Sequence, residues 1–446
     1  MKYIPHTEED INEMLKTIKV ESINDLFNNI PNDAKFKSIP KIPKSLNEFE
    51  LLKYTSSIAS KNITPLKGGS FFIGAGRYFH YIPEVIPTLI SRGEFSTCYT
   101  PYQAEVSQGT LQSIYEYQTL ICNLFNMEIA NASLYDGASA FAEALFMAYR
   151  LSKKNKIYIA ASIHPFYKEV AYTYLRPLDI DIIELDYKKD GTVNFGRIKN
   201  EDVCAIAIQS PNFFGVIEHF EELKDIKNKI NALSIVTFTE PIAYGLLKPP
   251  GDFDVDIVCG EGQSLGLPPA FGGPSLGIFT TKYKYVRSIP GRLVGKTVDK
   301  EGKRAFCLTL TTREQHIRRE KATSNICTNE NLCALVANIY LSYMGKKGLE
   351  YISKQNYNKM CYLKDNLVRL GFKETFKSPT FNEFVLKAPK KFKKIQNKLK
   401  KKHIFAGINL KYFGLELEDH YLFTVTELNS KNEIDLLISE VKDGLK

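Results

Sequence analysis

Short β-branched runs alternate with longer segments whose apolar residues recur every three to four positions. The runs are Ile157–Ala160, Ile180–Leu185, Cys204–Ile208, Ser234–Phe238 and Asp254–Val258. Helical stretches such as Tyr167–Tyr174 and Phe220–Asn231 separate them. Strands apolar along their whole length, spaced by helices, predict an α/β fold with a mainly parallel sheet covered on both faces. Ligands in such sheets bind beyond the carboxyl ends of the strands.

The flanks read differently. Thr7 with Asp10, Ser22 with Asp25 and Ser45 with Glu48 each place a capping hydroxyl three residues before a carboxylate that can reach back to a free N–H. Proline-rich extended chain, including Ile39–Lys44, lies between these helix starts. Such an arm buries little alone and is expected to wrap over another domain or subunit. Beyond residue 330, a long helix around Asn331–Gly345 leads to strands at Phe381–Leu386 and Tyr421–Val425. A final helix is capped by Ser430 and Glu433. The expected division is an N-terminal helical arm over 1–64, a large α/β domain over 65–328 and a small α/β domain over 329–446.

A chain of 446 residues is too long for one ordinary core. With 59 lysines and arginines against 50 acids, the net charge is +9. The segment Lys390–His403 holds eight of the lysines around Phe392, Ile395 and Leu399. It reads as a surface helix with its apolar stripe inward, or as part of a docking surface for something acidic. No basic stripe with interleaved aromatics suggests nucleic acid. The eight cysteines form no CxxC pair and no metal-ligand spacing, so no metal site is expected and a reducing compartment is implied. The polar N-terminus is unlike a signal peptide and no apolar run is long enough for a span, so a cytoplasmic protein that avoids membranes is expected.

Four stretches of the large domain suggest chemistry. Gly137, Ala138 and Ser139 open a helix whose free N–H groups suit a phosphate, although small residues equally permit close packing. His164 follows a strand end, where a ring could stack on a planar cofactor. Glu240 follows the run Ser234–Phe238 at the strand's end, where a carboxylate could meet a pyridinium nitrogen. The fourth is CGEGQSLGLPPAFGGP, residues 259–274, a glycine-turned loop after the last strand. In this order the four resemble the large domain of fold-type-I pyridoxal-phosphate enzymes, whose last loop carries the Schiff-base lysine. This chain has Gln263 and Ser264 there, and neither can form an imine. The nearest lysines are Lys248 and Lys282.

Longer motifs make the resemblance specific. Phe95–Gly109 (FSTCYTPYQAEVSQG), Asn131–Leu134 with Glu143-Ala144, Ile73-Gly74 with Tyr81-Ile-Pro83, Pro290–Gly295 and Arg313–Cys327 are similar to signature segments of the glycine cleavage system P-protein, in its N-terminal half. Many prokaryotes split that enzyme into two paralogous chains. The resemblance implies a partner subunit 2 that binds pyridoxal phosphate through its lysine, and a chain here that holds none covalently. Together, in an αβ or α2β2 assembly, they would decarboxylate glycine and pass the aminomethyl group to the lipoyl group of H-protein, on which the positive charge could dock.

In that setting Ser139, His164, Glu240 and Gln263 form a relic pocket, and Ser264 takes the lysine's position. Groups lent to the partner's site are Tyr99 and Tyr102, whose phenols could orient substrate or cofactor. Thr323, Ser324 and Asn325 suit a phosphate, and Arg318, Arg319 and Lys321 a carboxylate or phosphate. Packing, helix capping and intersubunit ion pairing remain the respective alternatives. Two other readings are a complete pyridoxal-phosphate enzyme using Lys248 or Lys282, and a non-enzymatic binding module.

Overall fold

The computed structural model describes residues 5–36, 41–96, 98–199, 202–326 and 329–446. Thr97, Cys327 and the Ile39-Pro40 start of the proline-rich stretch lie outside the described residues. The chain divides into two compact units, Met1–Asn62 and Ile63–Lys446.

In the first unit, the boxes Thr7–Asp10 and Ser22–Asp25 form as the spacing predicts. The third helix start lies two residues later than expected. Helix Glu48–Ala59 is capped by Asn47, whose Oδ1 accepts from Glu50 N–H at 2.9 Å while Glu50 Oε2 accepts from Asn47 N–H at 3.2 Å. An asparagine amide caps as well as a serine hydroxyl, so Ser45 and Glu48 lose the role. Neither α-helix of this unit has a buried residue, and Phe49 is 73% exposed.

In the second unit, a seven-stranded sheet runs in the order Ile129–Ala130, Gly277–Thr281, Ile257–Glu261, Leu233–Phe238, Val203–Gln209, Lys156–Ala160, Asp181–Leu185. The last five pair in parallel, and Gly277–Thr281 is antiparallel to both neighbours. Val203–Gln209 is buried at every position, as its unbroken apolar run demands. The core joins Ile157, Ile206, Val236 and Val258 of the sheet to Phe125 and Phe141 of the covering helices. Each such side chain contributes roughly 1.5–3 kcal/mol by leaving water. One boundary differs from the sequence reading. Asp254 takes a left-handed φ of 61°, so the strand begins at Ile257 and continues through Cys259, Gly260 and Glu261, which had read as loop.

Helix Asn331–Arg369 runs far past Gly345, where φ 57° and ψ −177° break it and a second helical stretch begins. It leads into a four-stranded antiparallel sheet ordered Lys373–Glu374, Glu383–Lys387, His420–Thr424, Ile408–Asn409. The lysine-rich helix Phe392–Lys401 turns Phe392, Ile395 and Leu399 inward and leaves its lysines exposed. Strand Ser70–Phe72 pairs in parallel with Ile404–Ala406. From there residues 73–81 cross to the carboxyl ends of the large sheet, and this crossing positions the site. Among the described residues, no helix is long and apolar enough to cross a membrane, and no group of three or more His, Cys, Asp or Glu could hold a metal ion.

Candidate functional site: a pocket filled by its own chain

Beyond Glu261 the chain turns through Gly262, burying Gln263 and Ser264 to 1% exposure each. The Gln263 amide is fully used: Oε1 accepts from Tyr78 N–H (3.1 Å), and Nε2 donates to the carbonyls of Tyr78 (3.0 Å) and Leu267 (2.6 Å). It therefore holds the backbone of the crossing segment. The Ser264 hydroxyl is buried without a partner. Neither alternative lysine substitutes. Lys282 Nζ is paired with Asp254 (2.6 Å) and Asp256 (2.9 Å), at the amino end of strand Ile257–Glu261, whereas Ser264 follows its carboxyl end. Lys248 is exposed.

The expected phosphate cradle is occupied from within. Gly137 N–H donates to Glu261 Oε2 at 3.2 Å, and Ser139 N–H to Asp136 Oδ1 at 2.7 Å in a capping box. The Glu261 carboxylate, 1% exposed, is also held by Arg77 Nη2 (3.0 Å), Ser275 Oγ (2.6 Å) and Gln263 N–H (3.0 Å). A buried anion thus already rests on the positive end of this helix, neutralised by an arginine from the crossing segment.

His164 has no open face for a cofactor ring. Its Nδ1 accepts from Phe166 N–H (3.2 Å), which leaves Nε2–H to donate to Ala75 O (3.0 Å). Phe166, Tyr167 and Phe213 surround the ring at centroid distances of 5.0–5.4 Å. Burial pushes its pKa down to about 4, so the ring is neutral. Glu240 meets a ring nitrogen as expected, but the ring is His80. His80 Nε2 lies 2.9 Å from Glu240 Oε2, and Nδ1 lies 2.8 Å from Glu427 Oε2. Burial disfavours the charge on His80, yet the carboxylates of Glu427 and Glu240 push its pKa up to about 10. The remaining Glu240 contacts are Ile242 N–H (3.1 Å) and Asn382 Nδ2 (3.1 Å). Beside them, Tyr78 OH donates to Glu383 Oε2 at 2.6 Å. Burial raises the Glu383 carboxyl to about 7 against the hydrogen bonds from Tyr78, Ala75 and Thr424.

His164, Glu240 and Gln263 therefore converge on residues 75–80 of the same chain, whereas the bonds of Ser139 go to Asp136. This pocket does not fit pyridoxal phosphate: it has no lysine, its anion position holds Glu261, its acid holds His80, and its histidine face is covered. Arg77, Tyr78, His80, Glu261, Glu383 and Glu427 escaped the sequence reading. The one local signal for them was the pair Gly74 and Gly76, which marks close backbone approach.

A second cluster lies on the surface. Tyr102 is 58% exposed, yet its OH accepts from Arg292 Nη2 at 3.0 Å and its ring carries that guanidinium at 5.2 Å. Arg292 is itself buried and bonded to Asn329 Oδ1 (3.1 Å), with Glu314 at 3.5 Å. Tyr99, 80% exposed, lines a cleft of about 570 Å³ with Phe95, Tyr135, Asn329 and Leu332, and joins Tyr102 in another of about 780 Å³. Ser324 Oγ is taken by Ile326 N–H (3.0 Å), and Thr323 N–H donates to Arg313 O (3.0 Å). Asn325 borders a small cleft with Glu143 and Tyr135. Arg318, Arg319 and Lys321 are exposed, Arg318 Nε donating to Thr312 O.

The fold recurs in distant proteins. A glutamate decarboxylase from Lactobacillus brevis, 14% identical, aligns with a TM-score of 0.67 over 94% of this chain and 97% of its own. A cysteine desulfurase from Thermococcus onnurineus, 13% identical, reaches 0.63 over 87% and 97%. The protein thus has the architecture of the fold-type-I pyridoxal-phosphate enzymes. A crystal structure of glycine decarboxylase (P-protein) of the glycine cleavage system, in inhibitor-bound form, matches at 0.90 with 37% identity over all of both chains.

The sequence model of the glycine cleavage system P-protein matches residues 1–441. Two relatives carry the name probable glycine dehydrogenase (decarboxylating) subunit 1. The one from Desulfotalea psychrophila is 46% identical over 444 residues, 99% of this chain and 98% of its own. That from Thermotoga maritima is 47% identical over 440 residues, 99% of each. The chain belongs to the glycine cleavage system P-protein family, as a subunit 1 of glycine dehydrogenase (decarboxylating), and a subunit 1 implies a second subunit.

Proposed function

We propose that this chain is the cofactor-free subunit of a glycine decarboxylase whose partner, subunit 2, binds pyridoxal phosphate through a lysine. The assembly decarboxylates glycine and passes the aminomethyl group to the lipoyl group of H-protein, in the cytoplasm. The observation that carries this reading is the buried Gln263-Ser264 turn, at the position where the resemblance to fold-type-I enzymes implies the Schiff-base lysine.

In this reading the chain completes the partner's active site from its surface cluster. Tyr102 is anchored at its hydroxyl by Arg292 and still exposed, and Tyr99 stands free beside two clefts. Both are placed to orient substrate or cofactor held by the other subunit. Thr323, Ser324 and Asn325, with Arg318, Arg319 and Lys321, supply donors and positive charge nearby. The exposed apolar residues of the arm, Phe49 and Leu52 among them, are covered by the partner. The exposed lysines of helix Phe392–Lys401 favour an acidic H-protein.

Glycine–bicarbonate exchange, measured on this chain, on subunit 2 and on their mixture, tests the reading. Exchange should be absent from this chain alone with pyridoxal phosphate added, and should appear on mixing. Exchange by this chain alone refutes it.

A further inference from the structure

We propose that Gly74–His80 is a permanent internal stand-in for the cofactor, holding the seven-stranded and four-stranded sheets of this chain in one closed arrangement. It rests on the reading that the chain carries no cofactor, and adds what excludes one. Three contacts reproduce what a ring and a phosphate would make. The His80 imidazole meets Glu240 at 2.9 Å, as a protonated ring nitrogen would. The Glu261 carboxylate, held by Arg77, rests on Gly137 N–H at the helix start. The Ala75 carbonyl takes the free N–H of His164, and Gly76 packs against that ring.

The same segment is fastened to the four-stranded sheet and the turn after it at Ala75, Tyr78, Phe79 and His80, and again at the following Tyr81. Ala75 N–H donates to Glu383 Oε1 (2.7 Å), Tyr78 OH to Glu383 Oε2 (2.6 Å) and Thr426 Oγ1 to Phe79 O (2.8 Å). His80 Nδ1 and Tyr81 N–H both reach Glu427, at 2.8 Å and 2.7 Å. A β-carbon on Gly74 would lie 2.5 Å from Thr424 Oγ1 and 2.8 Å from Glu383 Oε1, and one on Gly76 would lie 3.1 Å from the His164 ring. There is no slack on either side of the segment. The groups that would grip a cofactor are instead spent on joining the two sheets, so restoring the lysine would not restore binding.

The test is the full chain carrying Ser264→Lys, incubated with excess pyridoxal phosphate, reduced with borohydride and mapped by mass spectrometry. The expected result is no pyridoxyl adduct at position 264. A stoichiometric adduct there overturns the stand-in while leaving the reading of the natural chain intact; a stoichiometric adduct on the natural chain refutes that reading itself. A lysine in so buried a place threatens folding, so the natural chain is also titrated with pyridoxamine phosphate, which has the ring and phosphate but no aldehyde. Calorimetry should show no saturable binding. Saturable binding abolished by Glu240→Gln overturns the proposal.

Discussion

His80 Nε2 donates to Glu240 Oε2 across 2.9 Å, joining the crossing segment to the carboxyl end of strand Leu233–Phe238. The other ring nitrogen donates to Glu427, just beyond strand His420–Thr424, so a charged ring bridges a buried carboxylate and a half-buried one. Glu383 stands beside this group through Tyr78, and Lys359 Nζ donates to the Glu427 carbonyl at 2.7 Å. Such a bridge is costly to break from one side, because a buried carboxylate is left uncompensated.

His80→Gln should therefore destabilise the chain by ~3–5 kcal/mol near neutral pH, measured by urea unfolding. The pH dependence has a definite sign. The folded pKa of about 10 exceeds the unfolded value of about 6.5, so the stabilisation is complete below about 6.5 and is lost as pH rises through about 10. The natural chain should lose stability steeply from pH 7 to 10, and His80→Gln should flatten that decline. Parallel profiles for the two would remove His80 as the cause.

Gly76→Ala tests how tightly the segment is fitted. Gly76 has φ +88°, and its added methyl would meet the His164 ring at 3.1 Å. A loss of ~1–3 kcal/mol is expected from the backbone conformation alone, with packing added. Gly302→Ala, also at positive φ (+78°) but with nothing within 4 Å, is the control for the backbone term. Equal losses at both positions would mean that the crossing segment has room to move.

Much of the fold was legible because its signals are local. The five parallel strands announce themselves as β-branched runs, and Thr7–Asp10 and Ser22–Asp25 as hydroxyl–carboxylate pairs. Strand Gly277–Thr281 carries a similar run, Ile278 to Thr281, but Gly272, Gly273 and Pro274 just before it suggest loop and mask it. Gly345 reads as a helix end, and only the structure shows a second helical stretch running to Arg369. The candidate pocket was legible as residues but not as contacts. The links His80–Glu240, His80–Glu427 and Arg77–Glu261 span 160, 347 and 184 positions, and no periodicity reports on pairs so distant.

Tyr102→Phe separates positioning from stability. The phenol loses its hydrogen bond with Arg292, which costs roughly 0.5–1.5 kcal/mol in the isolated chain. In the reconstituted complex the exchange rate should fall about tenfold or more, equivalent to ~1.4 kcal/mol of barrier. Unchanged exchange with an unchanged glycine KM would restrict Tyr102 to packing.

Thiol reactivity should be low in the folded state. Burial pushes Cys122 and Cys333 up to about 12 and Cys204 up to about 11. At pH 8 these three hold almost no thiolate, so a disulfide reagent should modify them only after unfolding, when all eight cysteines react. Rapid modification of Cys204 in the native chain would show that its strand opens readily.

The most direct measurement is the location of the cofactor in the assembled enzyme. The complex of this chain with subunit 2, loaded with pyridoxal phosphate, is reduced with borohydride, digested and mapped by mass spectrometry. The expected result is one pyridoxyl-lysine per pair of chains, wholly in subunit 2. A stoichiometric adduct on Lys248, Lys282 or any other lysine of this chain would contradict the proposed role as the cofactor-free subunit.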